Sequence, residues 1–196
     1  NYYMSNIKRT KKNKKYNLVY MAKPVYGGWV SFTSHLALKK DYKLYRISNK
    51  TESKERPYGY GVNYRNLSIK DVVKLPNLLI TAVDKKFYEY LPFIKGATIV
   101  IHDPTELKEE VLDFIKRNKV ITIRKTVQKL LKEKHGIKSK FLYHPLYEFP
   151  FDKTSIKKKT RNISISRVDF DKNTHLIVEA NNKLAKKNQV EIYGAL

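Results

Sequence analysis

Cysteine is absent from this chain of 196 residues, which excludes disulfides and thiolate metal sites and leaves the redox compartment open. Acidic residues are scarce: 18 Asp+Glu stand against 41 Lys+Arg, a formal net charge of +23. That excess goes beyond what solubility needs and points to a polyanionic partner: nucleic acid, an anionic membrane surface or a phosphorylated substrate. A solvated, lysine-rich surface is the simpler alternative. Lysine outnumbers arginine, which favours diffuse attraction over bidentate reading of bases. No apolar run approaches the length of a membrane-spanning helix. The first sixteen residues carry Lys8, Arg9, Lys11, Lys12, Lys14 and Lys15 without an acid and lack the apolar stretch of a signal peptide. Residues 1–16 therefore read as a basic arm, and the expected location is cytoplasmic, with room for peripheral contact with a membrane. Neither G-x-G-x-x-G nor a Walker A sequence occurs, and no histidine pair has metal-ligand spacing.

What is present is strand–helix alternation. Leu18 to Ala22 is an apolar run, and Gly27-Gly28 opens a helical pattern carrying Trp29, Val30, Phe32, Leu36 and Ala37. Tyr42 to Ile47 reads as a second strand, and residues 48–70, with Pro57, Gly59 and Gly61, read as one long loop. Leu78 to Val83 is a third strand, with Asp84 placed to cap a helix bearing Phe87 and Leu91. Ala97 to Ile101 is β-branched and uncharged, as a strand covered on both faces should be. Asp103-Pro104-Thr105-Glu106 has the form of a capping box ahead of a helix with Leu107, Val111, Phe114 and Ile115. Val120 to Ile123, a helix stopped near Gly136, and Phe141 to Tyr143 complete this series.

This order predicts an α/β fold with a parallel sheet and helices on both faces. Residues 144–161 have linker composition, so a boundary is expected near residue 154, separating a domain over 17–153 from a second one beginning at 154. In the second part, Asn162 to Arg167 reads as a strand, followed by a loop to Lys172, an amphipathic helix and a strand ending at Gly194. About 40 residues bury too little surface to stand alone, so this part is expected to be the front of a longer lobe.

Chemistry should collect at the carboxyl edge of such a sheet. Gly27-Gly28 would let a ligand approach the backbone and the helix N-terminus; a tight turn explains them equally well. His102 directly follows the most apolar strand, where imidazole could bond a sugar hydroxyl or shuttle a proton; the alternative is a structural histidine. Arg167 and Lys172 place two cations at the mouth of the second βαβ unit. Asp169-Phe170-Asp171 matches a metal–diphosphate pattern but suits plain loop acids better, so no metal is assigned. Tyr58, Tyr60 and Arg65, in a Gly- and Tyr-rich stretch, are candidates for holding an acceptor by stacking and charge.

Taken in order, these parts resemble the GT-B glycosyltransferases, most closely the large retaining group of glycogen synthases and bacterial mannosyltransferases. The similarity lies in Gly27-Gly28 after the first strand, His102 after a central strand, the proline-containing linker, and Arg167 and Lys172 in the second lobe. Asn173 stands where that group usually has glycine after the lysine, and its acidic donor-binding motif has no counterpart here. The resemblance implies a Rossmann-like N-terminal lobe facing the beginning of a second Rossmann-like lobe, with a UDP- or GDP-sugar between them and no cofactor. It implies retaining, metal-independent sugar transfer. Gly27, Gly28, Arg167, Lys172 and Gly194 would hold the donor, and His102, Arg167 and Lys172 would act in catalysis. The acceptor would be anionic: nucleic acid, a lipid-linked glycan or a membrane-associated substrate. A non-enzymatic, basic nucleic-acid-binding α/β protein is the competing expectation.

Overall fold

In the computed structural model, residues 15–23, 27–48, 56–148, 150, 161–166 and 168–194 are described. The basic arm up to residue 14, Lys157 to Lys159 and Arg167 lie outside the described residues. Two compact units divide between Glu148 and Phe149.

The first unit is organised by apolar runs that exclude water from both faces of a sheet. β1 (Asn17–Met21), β5 (Leu78–Val83) and β6 (Thr98–Ile101) are buried almost throughout. With β2 (Lys43–Ile47), β3 (Arg56–Pro57), β4 (Asn63–Leu67), β7 (Lys119–Thr122) and β8 (Lys140–Phe141), they form one sheet in the order β3-β4-β2-β1-β5-β6-β7-β8. All neighbours are parallel except β3, which pairs antiparallel with β4 at the edge. The seven parallel strands thus run outward from β1 in both directions, the doubly wound arrangement of Rossmann-like proteins, with the strand order reversing between β1 and β5.

Side chains alternate across this sheet, so each strand feeds two cores. Leu18, Tyr20, Leu44, Leu79 and Val100 face α1 (Gly28–Lys40) through Val30, Phe32 and Leu36. Val19, Met21, Ile80, Ile99 and Ile101 face the other layer, which contains α3 (Glu109–Lys116) and α4 (Lys125–His135) through Phe114, Ile115, Val127 and Leu131. Helix α4 stops where expected, at Gly136, whose left-handed backbone (φ 65°) closes the last turn.

Four sequence expectations need correction. Residues 48–70 are not one loop: β4 pairs in parallel with β2 and α2 (Ile69–Val72) follows it. Asn63-Tyr64-Arg65-Asn66-Leu67 hides Tyr64 and Asn66 while showing Asn63 and Arg65, so polar residues mask its alternation. Asp84 does not cap an α-helix with its side chain; the segment Lys85–Phe93 winds as a 3-10 helix containing Pro92, which has no amide to continue an α-helical ladder. The capping-box helix is interrupted: Pro104–Glu106 is a separate 3-10 turn and α3 restarts at Glu109. The last strand covers Lys140–Phe141 and stops before Leu142.

The second unit contains a parallel pair, β9 (Asn162–Ile165) and β10 (Val190–Tyr193), joined through α5 (Thr174–Lys183), as the βαβ reading expects. Asn181 locks this crossover: its amide oxygen accepts from the Val190 N–H (2.8 Å) and its amide nitrogen donates to the Val190 carbonyl (2.8 Å). Asn173 precedes α5 with a left-handed backbone (φ 55°), and its side chain makes no capping hydrogen bond.

Candidate functional site

The carboxyl ends of β1 and β5 meet where strand order reverses, and three elements converge there. From β1 the chain enters α1, whose cap position is Gly27. Gly27 is extended (φ 160°, ψ −178°), a conformation any residue adopts, and a Cβ at Gly27 or Gly28 would touch no described atom. A tight turn therefore does not demand these glycines. Among the described residues no side chain caps α1 and its first turn holds no acid, so the amides that open the helix have no described side-chain partner and are of the kind that attract an anion.

The second element is β5. Its register against β1 slips between Val19 and Tyr20, which pair with Ile80 and Ala82, leaving Thr81 without a partner residue in β1. Bulges of this kind re-aim groups near functional sites. The Thr81 carbonyl accepts a hydrogen bond from Nε2 of His102 (2.7 Å), and its hydroxyl shares one with Thr33 of α1 (2.8 Å).

The third element is the turn after β6. His102 is only 6% exposed, and its ring stands edge-on to Phe32 with centroids 4.9 Å apart. Burial depresses its pKa to about 4, outweighing the Thr81 hydrogen bond; positive charge at Arg124 and a nearby His144 act in the same direction as burial. His102 is thus a neutral imidazole that donates from Nε2, a poor proton shuttle near neutral pH but a fixed hydrogen-bonding ring. Four residues on, Glu106 reaches back. Its Oε2 accepts from the backbone N–H of His102 (3.2 Å) and its Oε1 accepts from the indole N–H of Trp29 (3.2 Å). Burial raises its pKa to about 7 against those two hydrogen bonds, with Asp103's charge raising it further. Asp103 itself caps the 3-10 turn through the Thr105 N–H (3.1 Å) and pairs with Arg124 (2.6 Å). The Thr105 amide, ahead of Arg124, holds its carboxyl below the ordinary value.

Trp29, His102 and Glu106 therefore form one assembly that clamps the first turn of α1 to the end of β6. Glu106 was legible only as a capping residue, because its partner Trp29 lies 77 positions away. Arg46 was also missed as a site residue. Its guanidinium lies 5.1 Å from the Tyr64 ring centroid and donates to the Ala22 carbonyl (3.1 Å), fixing the end of β1.

The acceptor candidates do not converge. Tyr58 packs edge-on between Tyr20 (5.4 Å) and Tyr64 (6.1 Å), and burial pushes its phenol far above the ordinary value, so it serves the core. Tyr60 is 46% exposed, with a left-handed backbone and its ring 5.3 Å from His35. Arg65 lines a separate pocket of about 260 Å³ with Lys43, Tyr42 and Asp41, where β2 and β4 begin, at the amino edge of the sheet.

In the second unit, Lys172 is exposed, and its backbone N–H donates to Oδ1 of Asp169 (3.0 Å). Asp169 thus caps the 3-10 turn Phe170–Lys172, which accounts for that acid without a metal. Among the described residues no group of three or more His, Asp or Glu side chains is placed to hold a metal ion. Gly194 has a packing reason: a Cβ there would overlap the Ser166 carbonyl oxygen. Among the described residues no helix is long and apolar enough to cross a membrane. Comparison with models of protein families, with curated proteins and with solved structures finds no match to this chain.

Proposed function

We propose that this protein transfers a sugar from a nucleotide-diphosphate sugar to an acceptor, as a retaining, metal-independent glycosyltransferase of the GT-B type. The observation that carries the reading is the N-terminus of α1, which no described side chain caps and which opens on two glycines whose added Cβ would meet no described atom, at the strand-order reversal of a doubly wound sheet. Helix amides in that position suit a diphosphate. His102, neutral and oriented by Thr81, supplies a fixed hydrogen-bonding ring for the transferred sugar. Glu106 positions both Trp29 and His102 rather than reacting, since each of its oxygens already holds a donor. By the resemblance drawn from the sequence, Arg167 and Lys172 are the residues expected to stabilise the departing diphosphate, which itself takes the acceptor's proton. The positive balance of the chain favours an anionic acceptor.

The test is transfer of labelled hexose from UDP- and GDP-sugars by the full chain, with diphosphate release followed in parallel. Arg167→Ala and Lys172→Ala should each lower turnover by about a hundredfold, on the scale of a lost oxyanion donor. Loss of turnover on adding a chelator would replace the metal-independent reading by one built on Asp169 and Asp171.

A further inference from the structure

Helix α4 and the strand after it carry a different feature. Between Arg124 and Lys140 the sequence holds seven Lys/Arg and one acid, Glu133. Val127 and Leu131 anchor the helix in the core, which turns Lys125, Lys129 and Lys132 outward at intervals of four and three residues, along about 10 Å of helix axis. These three line a groove of about 600 Å³ together with Gln128, Lys138 and Ser139. The groove's shape is fixed by an internal bond: the Gln128 amide donates to the Ser139 carbonyl (2.9 Å), holding the chain beyond Gly136 against the helix. Lys129 has Glu133 at 4.0 Å, whereas Lys125, Lys132 and Lys138 have no carboxylate within 4.0 Å among the described residues. Unneutralised cations ranged along a preformed groove differ from a solvated helix face, where i,i+4 pairs would balance them.

We propose that this groove binds the phosphate backbone of nucleic acid. One strand presents a charge roughly every 3.4 Å of axis, so the row from Lys125 to Lys132 faces about three phosphates. Lysine supplies compact, rotatable donors without the planar fork that reads bases, so binding is independent of sequence. A membrane surface fits less well, because the groove is lined by Lys, Gln, Ser and Glu with Ile137 buried, leaving no exposed apolar side chain there to insert. The inference stands apart from sugar transfer: it needs no donor and involves none of the residues at the carboxyl-edge site.

The experiment is titration of the full chain with a labelled random-sequence duplex from about 50 to 200 mM salt. Four phosphate contacts give a slope of about −3.6 in log K against log[salt], or weakening by about 150-fold over that range. Lys125, Lys129, Lys132 and Lys138 are then changed together to Gln, alongside a control carrying Lys70, Lys85, Lys95 and Lys108 changed to Gln. Circular dichroism checks that both remain folded. The groove variant should lose about three units of slope and the control less than one. Equal losses in the two variants would reduce the binding to the general field of the protein and overturn the site. Absence of duplex binding, or binding of phosphatidylglycerol vesicles in preference to duplex, would overturn the proposal itself.

Discussion

Replacing Gly27 by aspartate should stabilise the first unit and at the same time expel a diphosphate. Gly27 occupies the cap position of α1 with an extended backbone that aspartate adopts freely, and its Cβ would meet no described atom. A capping carboxylate would accept from a first-turn amide, worth a few tenths of a kcal/mol over glycine. Its charge on the helix dipole adds about 0.3–1 kcal/mol. For a unit of this size a gain of about 1 kcal/mol raises Tm by about 2–4 °C. The same charge about 5 Å from a bound phosphate, at an effective dielectric of about 20, opposes binding by about 3 kcal/mol, roughly a hundredfold in Kd. Gly27→Asn supplies the cap without the charge, so it should keep only the few tenths of a kcal/mol that come from the cap and lose far less affinity. Scanning calorimetry and titration calorimetry with UDP and GDP read both quantities. Unchanged diphosphate affinity in Gly27→Asp would show that the anion does not sit at α1; a lower Tm would show that the helix end was already satisfied.

Other outcomes follow from the Trp29–His102–Glu106 assembly and from the packing. Glu106 titrates near 7 instead of 4.5, so the folded state holds an extra proton between those values and stability should fall as pH rises through that window. His102 titrates near 4 instead of 6.5, so the folded state holds one proton fewer and stability should rise across an overlapping window. Each shift corresponds to about 3 kcal/mol, and the two oppose. The whole protein should therefore be nearly insensitive to pH between about 4.5 and 6.5, while Glu106→Gln should leave a rising profile and His102→Gln a falling one. Thermal unfolding of the three proteins at pH 4.5 to 7.5 checks the signs, and parallel profiles would refute the coupling. Leu131→Ala, at a fully buried side chain, should cost about 2–5 kcal/mol in a denaturant melt. Gly194→Ala, which forces a methyl into the Ser166 carbonyl, should speed hydrogen exchange of the Ser166 amide, which donates to Tyr193 (3.1 Å).

What could be read from the chain divides along physical lines. β1, β5 and β6 were legible because strands covered on both faces must be apolar throughout, and Gly136 was legible because few residues accept a left-handed helix stop. β4 was not, because Asn66 stands on its buried face and Arg65 on its open one, so no apolar period remains to be seen. The 3-10 segments read as α-helices because their apolar residues have helical spacing, while Pro92 and the short run after Pro104 restrict how far the ladder propagates. At the site, the glycines and His102 could be placed at a carboxyl edge from element order alone. The bulge at Thr81, the clamp between Glu106 and Trp29, and the burial of Tyr58 depend on partners distant in sequence, which no local pattern encodes.

The most direct measurement of the central claim is titration of the ¹⁵N-labelled full chain with UDP and GDP, followed by amide NMR. Diphosphate bound at the strand-order reversal should shift the amides of Gly28, Trp29 and Val30 first, together with the Trp29 indole N–H that Glu106 holds. Shifts confined to the α4 groove or to the pocket around Arg65, with the first turn of α1 unmoved at saturation, would contradict the assignment.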